Sequence, residues 1–226
     1  MEYDKDDLAR VTRSKQQARA SYDQMSRWYD LIAGGSERRF MEIGLRRLTV
    51  REGESALEIG FGTGHGILAL ARAVGGAGRV YGIDLSQGML EVTRARVDRA
   101  SIGDRVCLCL GDGAQLPLRN HSMDALLMSF TLELFDTPEI PLVLQECWRV
   151  LRVDGRMVVI AMSRRGRVGL MLRLYEWAHK RWPAYLDCRP IYAQEALQAA
   201  GFTVAESSVA LMYGLPVEIV LAQKAG

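Results

Sequence analysis

Leu57-Glu58-Ile59-Gly60-Phe61-Gly62-Thr63-Gly64-His65-Gly66 is the stretch that decides the fold. Residues 55–60 have the length and apolar character of a buried strand, and the run then breaks into glycines at 60, 62 and 64. Glycine takes backbone angles and close approaches that a Cβ forbids, so this strand turns sharply and offers bare backbone to a ligand. A helix is expected to follow over about 66–74. The spacing is G-x-G-x-G, and His65 stands where a dinucleotide fingerprint, G-x-G-x-x-G, needs its third glycine. Glu58, just ahead of the turn, adds a carboxylate. Negative charge suits a cationic ligand, such as a sulfonium carrying an ammonium group, and suits a pyrophosphate poorly.

Working outward, short apolar runs alternate with helical segments. Strands are expected over 79–84, 105–110, 122–130, 155–162, 202–211 and 217–222, with helices over 86–99, 138–151, about 168–181 and 193–200. Such alternation implies right-handed parallel crossovers with helices on both faces. Only residues 213–216 separate the last two strands, too few for a parallel return, so that pair should be antiparallel. The expected fold is therefore α/β: a doubly wound, Rossmann-like, seven-stranded and mostly parallel sheet. The first fifty residues read as helical and polar. Met25, Trp28, Tyr29, Ile32, Phe40, Ile43, Leu45 and Leu48 lie near helical spacing there, interrupted by Gly34-Gly35.

The bulk properties fit one domain over residues 1–226. Hydrophobic residues make up 49% and charged residues 25%, enough for a sizeable core. A formal charge of +2 argues against a nucleic-acid partner. The polar start is unlike a secretory signal, and no apolar run reaches the ~18 residues of a membrane span. A cytoplasmic location is expected. Cys107, Cys109, Cys147 and Cys188 lack the spacing of a metal site and read as packed, reduced core cysteines.

Three signals fall at the carboxyl ends of the first three strands, where open α/β sheets bind ligands. The glycine turn is the first. The second is Asp84, about 20 residues on, placed to accept hydrogen bonds from both hydroxyls of a ribose. The third is Leu110-Gly111-Asp112-Gly113-Ala114, where Asp112 could accept from an adenine amino group. Alone, each has a plain structural explanation, a tight junction or a helix cap. Together and in order they point to an adenosyl ligand.

These residues carry a family resemblance. From about Tyr22 to Gly155 the chain resembles the class I S-adenosylmethionine (SAM) dependent methyltransferases, in particular the branch containing the lipoquinone C-methyltransferases. The resemblance implies that Glu58, Gly60, Phe61, Gly62 and Gly64 form the SAM-binding loop and that Asp84 holds the ribose. It implies that Leu85 and Met89 flank the adenine and that Asp112, Gly113 and Ala114, followed by Leu116-Pro117, hold its amino group. Ser129, ending the fourth strand, completes the candidate cofactor set. Arg149-Val150-Leu151-Arg152-Val153-Asp154-Gly155 is similar to the family's turn into the fifth strand. Tyr22-Asp23 and Trp28-Tyr29-Asp30 resemble an N-terminal lid, which puts Tyr22 and Tyr29 over the methionine end of SAM. The implied organisation is a helical lid over 1–50, a cofactor core over 51–163, and acceptor-pocket helices with the final strand pair over 164–226. SAM is the implied cofactor and S-adenosylhomocysteine its product.

The chain departs from the quinone branch in Ser129-Phe130-Thr131-Leu132-Glu133-Leu134, where Glu133-Leu134 stand in place of that branch's Arg-Asn pair. The Asn/Asp-Pro-Pro-aromatic motif of methyltransferases acting on adenine or glutamine is absent. The expected acceptor is a small, hydrophobic or lipid-like molecule. A non-catalytic SAM-binding protein and, further off, a nicotinamide oxidoreductase are the alternatives. No side chain is singled out as catalytic: His65 reads as a helix-start residue, and Tyr175, Tyr192 and Tyr213 join Tyr22 and Tyr29 as aromatic candidates for the pocket. Between Met162 and Tyr192, Arg164, Arg165, Arg167, Arg173, Lys180 and Arg181 interleave with Leu170, Met171, Leu172, Leu174, Trp177 and Trp182. That segment should build the acceptor pocket, and its pattern suits either a solvated basic helix face or a weak peripheral membrane contact.

Overall fold

The computed structural model describes residues 10–11, 14–25, 34–165 and 189–225. Trp28, Tyr29 and Asp30, the helix expected over 168–181 with Tyr175, and Cys188 lie outside them. Helices α1 (Lys15–Met25) and α2 (Gly34–Leu48) precede β1 (Ser55–Ile59), α3 (His65–Ala73), β2 (Arg79–Asp84), α4 (Gln87–Arg99) and β3 (Val106–Leu110). Then come β4 (Met123–Ser129), α5 (Ile140–Val150), β5 (Leu151–Met162), α6 (Ala193–Ala199), β6 (Thr203–Met212) and β7 (Leu215–Gln223). Gly34 and Gly35 open α2.

The seven strands lie in the order β3-β2-β1-β4-β5-β7-β6. Strands β1 to β5 run parallel, and β7 is antiparallel to both β5 and β6. Tyr213 and Gly214, both at positive φ, make the tight turn between β6 and β7, as a two-residue hairpin requires. Strand order reverses between β1 and β4, and that reversal opens the crevice in which ligands of such sheets sit.

Each face of the sheet carries its own apolar layer. Phe40, Met41 and Leu48 of α2 pack with Ile67 and Leu70 of α3 and Met89, Leu90 and Val97 of α4 on one side. Ile140, Val143, Leu144 and Cys147 of α5 and Leu197 of α6 cover the other. The central strands are buried on both faces, which is why 55–60 and 122–130 read as mostly apolar runs rather than alternating ones. Ser86 caps α4, its hydroxyl accepting from the Met89 N–H at 3.1 Å.

Two expectations need correction. Strand β5 begins at Leu151 rather than at Gly155, because Leu151 already pairs with Met123 before the register jumps to Ala125 opposite Arg156. Asp154, at φ 62, lies in that irregular step. The cysteines are not uniformly packed: Cys147 is buried, but Cys107 is exposed and Cys109 half-buried, since β3 is the sheet's outer strand. Burial pushes the Cys147 thiol upward, so it stays protonated and behaves as a small core side chain.

Candidate functional site

At the carboxyl ends of β1, β2 and β4 lies a cavity of about 230 Å³. Tyr22, Glu58, Gly60, Phe61, Gly62, Asp84, Leu85, Met89, Gly113 and Ser129 all line it, drawn together from five separate stretches of chain. Gly64, Asp112 and Ala114 do not line it, and neither do Tyr192 and Tyr213; Tyr29 falls outside the described residues. Gly60, Gly62 and Gly64 all have positive φ, so the turn is a backbone device as its spacing predicted. A Cβ on Gly60 would come within 2.4 Å of the Thr131 side chain, whereas no protein atom stands within 4 Å of where one on Gly62 would point.

Glu58 is enclosed, only 2% exposed. Its carboxyl accepts the Ile67 N–H in the first turn of α3, while Oε2 has no hydrogen-bond partner. Gly66 makes room for this carboxyl, since a Cβ there would fall 2.1 Å from Oε1. Burial raises the Glu58 pKa well above the usual carboxylate range, the Asp84 charge adds to the rise, and the Ile67 N–H opposes it. A cationic group reaching Oε2 would satisfy both the orphaned atom and the unfavourable charge.

Asp84 is stapled into the turn. Gly62 N–H donates to Oδ2 and Ser86 N–H to Oδ1, each at 2.9 Å. Burial still raises its pKa over the opposing backbone donors of Ser86, Gly62 and Leu85. Three backbone donors on the roughly four acceptor sites of a carboxylate leave room for a ligand hydroxyl. Asp112 is otherwise engaged: Oδ1 accepts from Ala114 N–H at 3.0 Å, and Oδ2 takes Lys15 Nζ at 2.5 Å. Its neighbours Gly111 and Gly113 face the cavity instead.

Lys15 belongs to the outer wall. It also reaches Glu139 at 2.6 Å, and although burial works against its charge, these two carboxylates raise its pKa. Arg10 forks onto Asp136 at 2.9 and 2.6 Å, joined by Val11 N–H at 3.0 Å. Asp23 accepts from Ser86 Oγ at 2.6 Å and Gly88 N–H at 2.9 Å, at the start of α4. The N-terminal residues thus cross the cavity mouth, held by polar contacts to the ends of three different elements. His65 opens α3 and lines the cavity, its Nε2 2.8 Å from Arg96 Nη1. Since a guanidinium only donates, Nε2 accepts, so this nitrogen is committed to Arg96.

Sequence reasoning missed the contributions of α2 and of the turn after β4. Glu37, Arg38 and Met41 line the cavity, as do Thr131, Leu134 and Phe135. Positions 37 and 41 share a helix face, a signal the sequence did carry. Glu133, fully buried, and Arg189, 1% exposed, had no such signal.

A glycine turn, an orphaned carboxylate oxygen and a second acid at the next strand end thus meet in one crevice at the strand-order switch. The match to known proteins agrees. Residues 56–155 match the methyltransferase domain family. The demethylmenaquinone methyltransferase of Geobacillus kaustophilus is 34% identical over 154 residues, which are 68% of this chain and 63% of that protein. A SAM-dependent methyltransferase structure from Aquifex aeolicus superposes with a TM-score of 0.62 at 21% identity, over 82% of this chain and 89% of that one. The structure of the [4+2]-cyclase SpnF superposes with a TM-score of 0.78 at 19% identity, over 96% and 98%. Residues 56–155 carry the methyltransferase domain, and the chain is similar to SAM-dependent methyltransferases. It spans under two thirds of the length of the curated relatives it matches. Among the described residues no helix is long and apolar enough to cross a membrane.

Proposed function

We propose that the protein transfers the methyl group of SAM to a small, hydrophobic, quinol-like acceptor. The observation that carries this reading is the convergence of Glu58 Oε2, buried and without a partner, and the Asp84 carboxylate on one cavity. SAM supplies an already activated methyl group. In this reading Glu58 holds its ammonium, Asp84 its ribose hydroxyls, and the backbone of Gly60 and Gly62 lies against its methionine portion. Leu85 and Met89 sandwich the adenine, and Gly111 and Gly113 let its edge approach β3. Tyr22 on α1 closes the methionine end from above.

The rest of the cavity sets the acceptor. Met41, Phe130, Leu134 and Phe135 give it apolar walls, which favour a flat hydrophobic molecule and exclude water from the transfer. Methyl transfer needs an acceptor held in line with the donor, and positioning can supply much of the rate. The relatives named demethylmenaquinone methyltransferase make a quinol the first acceptor to test.

Fold alone does not fix this chemistry, since SpnF, a [4+2]-cyclase, shares it across nearly the whole chain. Calorimetric titration with SAM, S-adenosylhomocysteine and NADH is the first test. Binding of both adenosyl ligands and not NADH is expected, followed by transfer of labelled methyl to demethylmenaquinol. Adenosyl binding with no transfer to any quinol, phenol or amine would favour a SAM-binding protein that uses its fold for something else. No adenosyl binding by folded protein would end the proposal.

A further inference from the structure

Near the end of β4 the side chains alternate between the two apolar layers. Ala125 and Leu127 belong to the layer shared with α2, α3 and α4, and Leu126 and Met128 to the layer shared with α5 and α6. A period of two would send Phe130 to the second layer with Met128. It lies instead in the first, edge-on to Phe40 of α2, with ring centroids 6.4 Å apart and planes at 85°. The backbone explains the change of side: Phe130 has φ 51, in the left-handed region. With the alternation broken there, Ser129, Phe130 and Thr131, three consecutive residues, all line the cavity.

For a side chain as bulky as phenylalanine this conformation is strained, and such strain persists only where neighbours over-determine it. Here they hold the chain on both sides. Phe130 N–H donates to Ile160 O at 2.8 Å, and Thr131 Oγ1 to Ser129 O at 3.0 Å. Leu134 N–H then donates to Thr131 O at 3.0 Å, and Met162 N–H to Oε1 of the fully buried Glu133 at 3.1 Å. Arg189, 1% exposed, donates to Phe135 O at 2.7 Å and to Thr137 Oγ1 at 3.1 Å. What the strain secures is an aromatic residue on the α2 side of the cavity, which Met41 also lines. The other aromatic lining residues have different places: Tyr22 is on α1, Phe61 in the glycine turn, and the Phe135 ring centroid lies 6.0 Å from Lys15 Nζ.

We propose that Phe130 is the specificity-determining residue for the methyl acceptor, its left-handed backbone placing an aromatic ring beside Met41 to select a planar aromatic acceptor over a saturated one of the same size. The inference rests on the methyltransferase reading and narrows its substrate class from hydrophobic to aromatic. An aromatic guest gains ring–ring and sulfur–ring contacts that a puckered, saturated guest of equal area does not.

The test is calorimetry on the full chain saturated with S-adenosylhomocysteine under reducing conditions. It compares 1,4-dihydroxynaphthalene with decahydronaphthalene-1,4-diol, which has the same skeleton and hydroxyls without the flat rings. The unaltered protein should prefer the aromatic diol. Phe130→Leu, which keeps an apolar side chain in place, should cut that preference about 3- to 10-fold, the range of one aromatic contact, and leave S-adenosylhomocysteine affinity unchanged. In methyl transfer to the aromatic diol the same variant should raise KM more than it lowers kcat. Phe130→Gly should melt above Phe130→Ala, since both lack the ring and only alanine keeps a Cβ at φ 51. Phe130→Leu carries the test alone if the smaller variants do not fold. No preference in the unaltered protein, an undiminished preference in Phe130→Leu, or a loss shared equally by both diols and S-adenosylhomocysteine overturns the proposal. So does Phe130→Ala melting at or above Phe130→Gly. Failure of S-adenosylhomocysteine to bind the unaltered protein would instead strike the methyltransferase reading itself.

Discussion

The inner and outer walls of the cavity are built by different physics. The inner wall is backbone: strand ends buried on both faces, three glycines at positive φ, and carboxylates fixed by amide N–H groups. The outer wall is residues 10–11 and 14–23, held by side-chain ion pairs and hydrogen bonds whose members include the 65% exposed Arg10 and the 39% exposed Lys15. Burial makes the first unforgiving of change, and solvent screening makes the second cheap to rearrange. A wall of that kind tolerates substitutions that the inner wall does not. The domain match agrees with the division, since it begins at residue 56 and so takes in the cradle and leaves out α1 and α2.

The hardest blow to the inner wall should come from Gly60→Ala. The backbone there has φ 72, and the new methyl group would sit 2.4 Å from Thr131, which is itself 94% enclosed. Strain at such an angle costs about 1–3 kcal/mol before the clash is counted. A loss of roughly 10²-fold or more in S-adenosylhomocysteine affinity is expected, the equivalent of about 3 kcal/mol. Gly35→Ala, near the start of α2, is the matching change outside the cradle: among the described residues, nothing beyond its own helix backbone and chain neighbours lies within 4 Å of its Cβ position. It should leave affinity unchanged and add about 0.4–1 kcal/mol of stability, read from chemical denaturation. Equal damage from both would mean that the two regions do not differ in the way described.

Next in size is Asp84→Ala. A hydrogen bond to a charged group contributes about 1.5–3 kcal/mol, so cofactor affinity should fall roughly 10- to 150-fold by calorimetry. The melting temperature should fall as well, because Gly62 and Ser86 lose their acceptor. Unchanged affinity in a folded variant would take the ribose away from Asp84 and leave it a turn staple.

The same contrast explains what the sequence shows and what it hides. The succession of strands along the chain, the antiparallel final pair and the glycine turn were legible because each is written locally, in apolar run lengths, in loop lengths too short for a crossover, and in glycine spacing. Glu58 and Asp84 were legible because each stands at a strand end in that pattern. Lys15 against Asp112 was not, since it joins residues 97 apart through flexible side chains that no periodicity announces. Glu133 was visible only as a departure from an expected pair; its burial goes with a hydrogen bond from Met162 N–H of β5, 29 residues on. The exposure of Cys107 was hidden for a similar reason, because an apolar strand does not reveal that it will end at the sheet's edge.

The smallest effect should come from opening the Arg10–Asp136 clasp. Arg10's hydrogen bond is the main reason Asp136 titrates at about 2, against burial and with the help of the Val11 and Thr137 N–H groups. A carboxylate whose folded pKa is depressed stabilises the fold above its unfolded value of about 3.9 and loses that contribution as pH falls toward 2. The clasp therefore works fully at neutral pH and loosens only in strong acid. Arg10→Met, or about 1 M salt, should move the Asp136 carboxyl signal up toward the ordinary range. Because Arg10 is mostly exposed, neither change should measurably alter cofactor affinity at neutral pH. If Arg10→Met weakens S-adenosylhomocysteine as much as Asp84→Ala does, the outer wall is part of the cradle, and the acceptor must be recognised elsewhere.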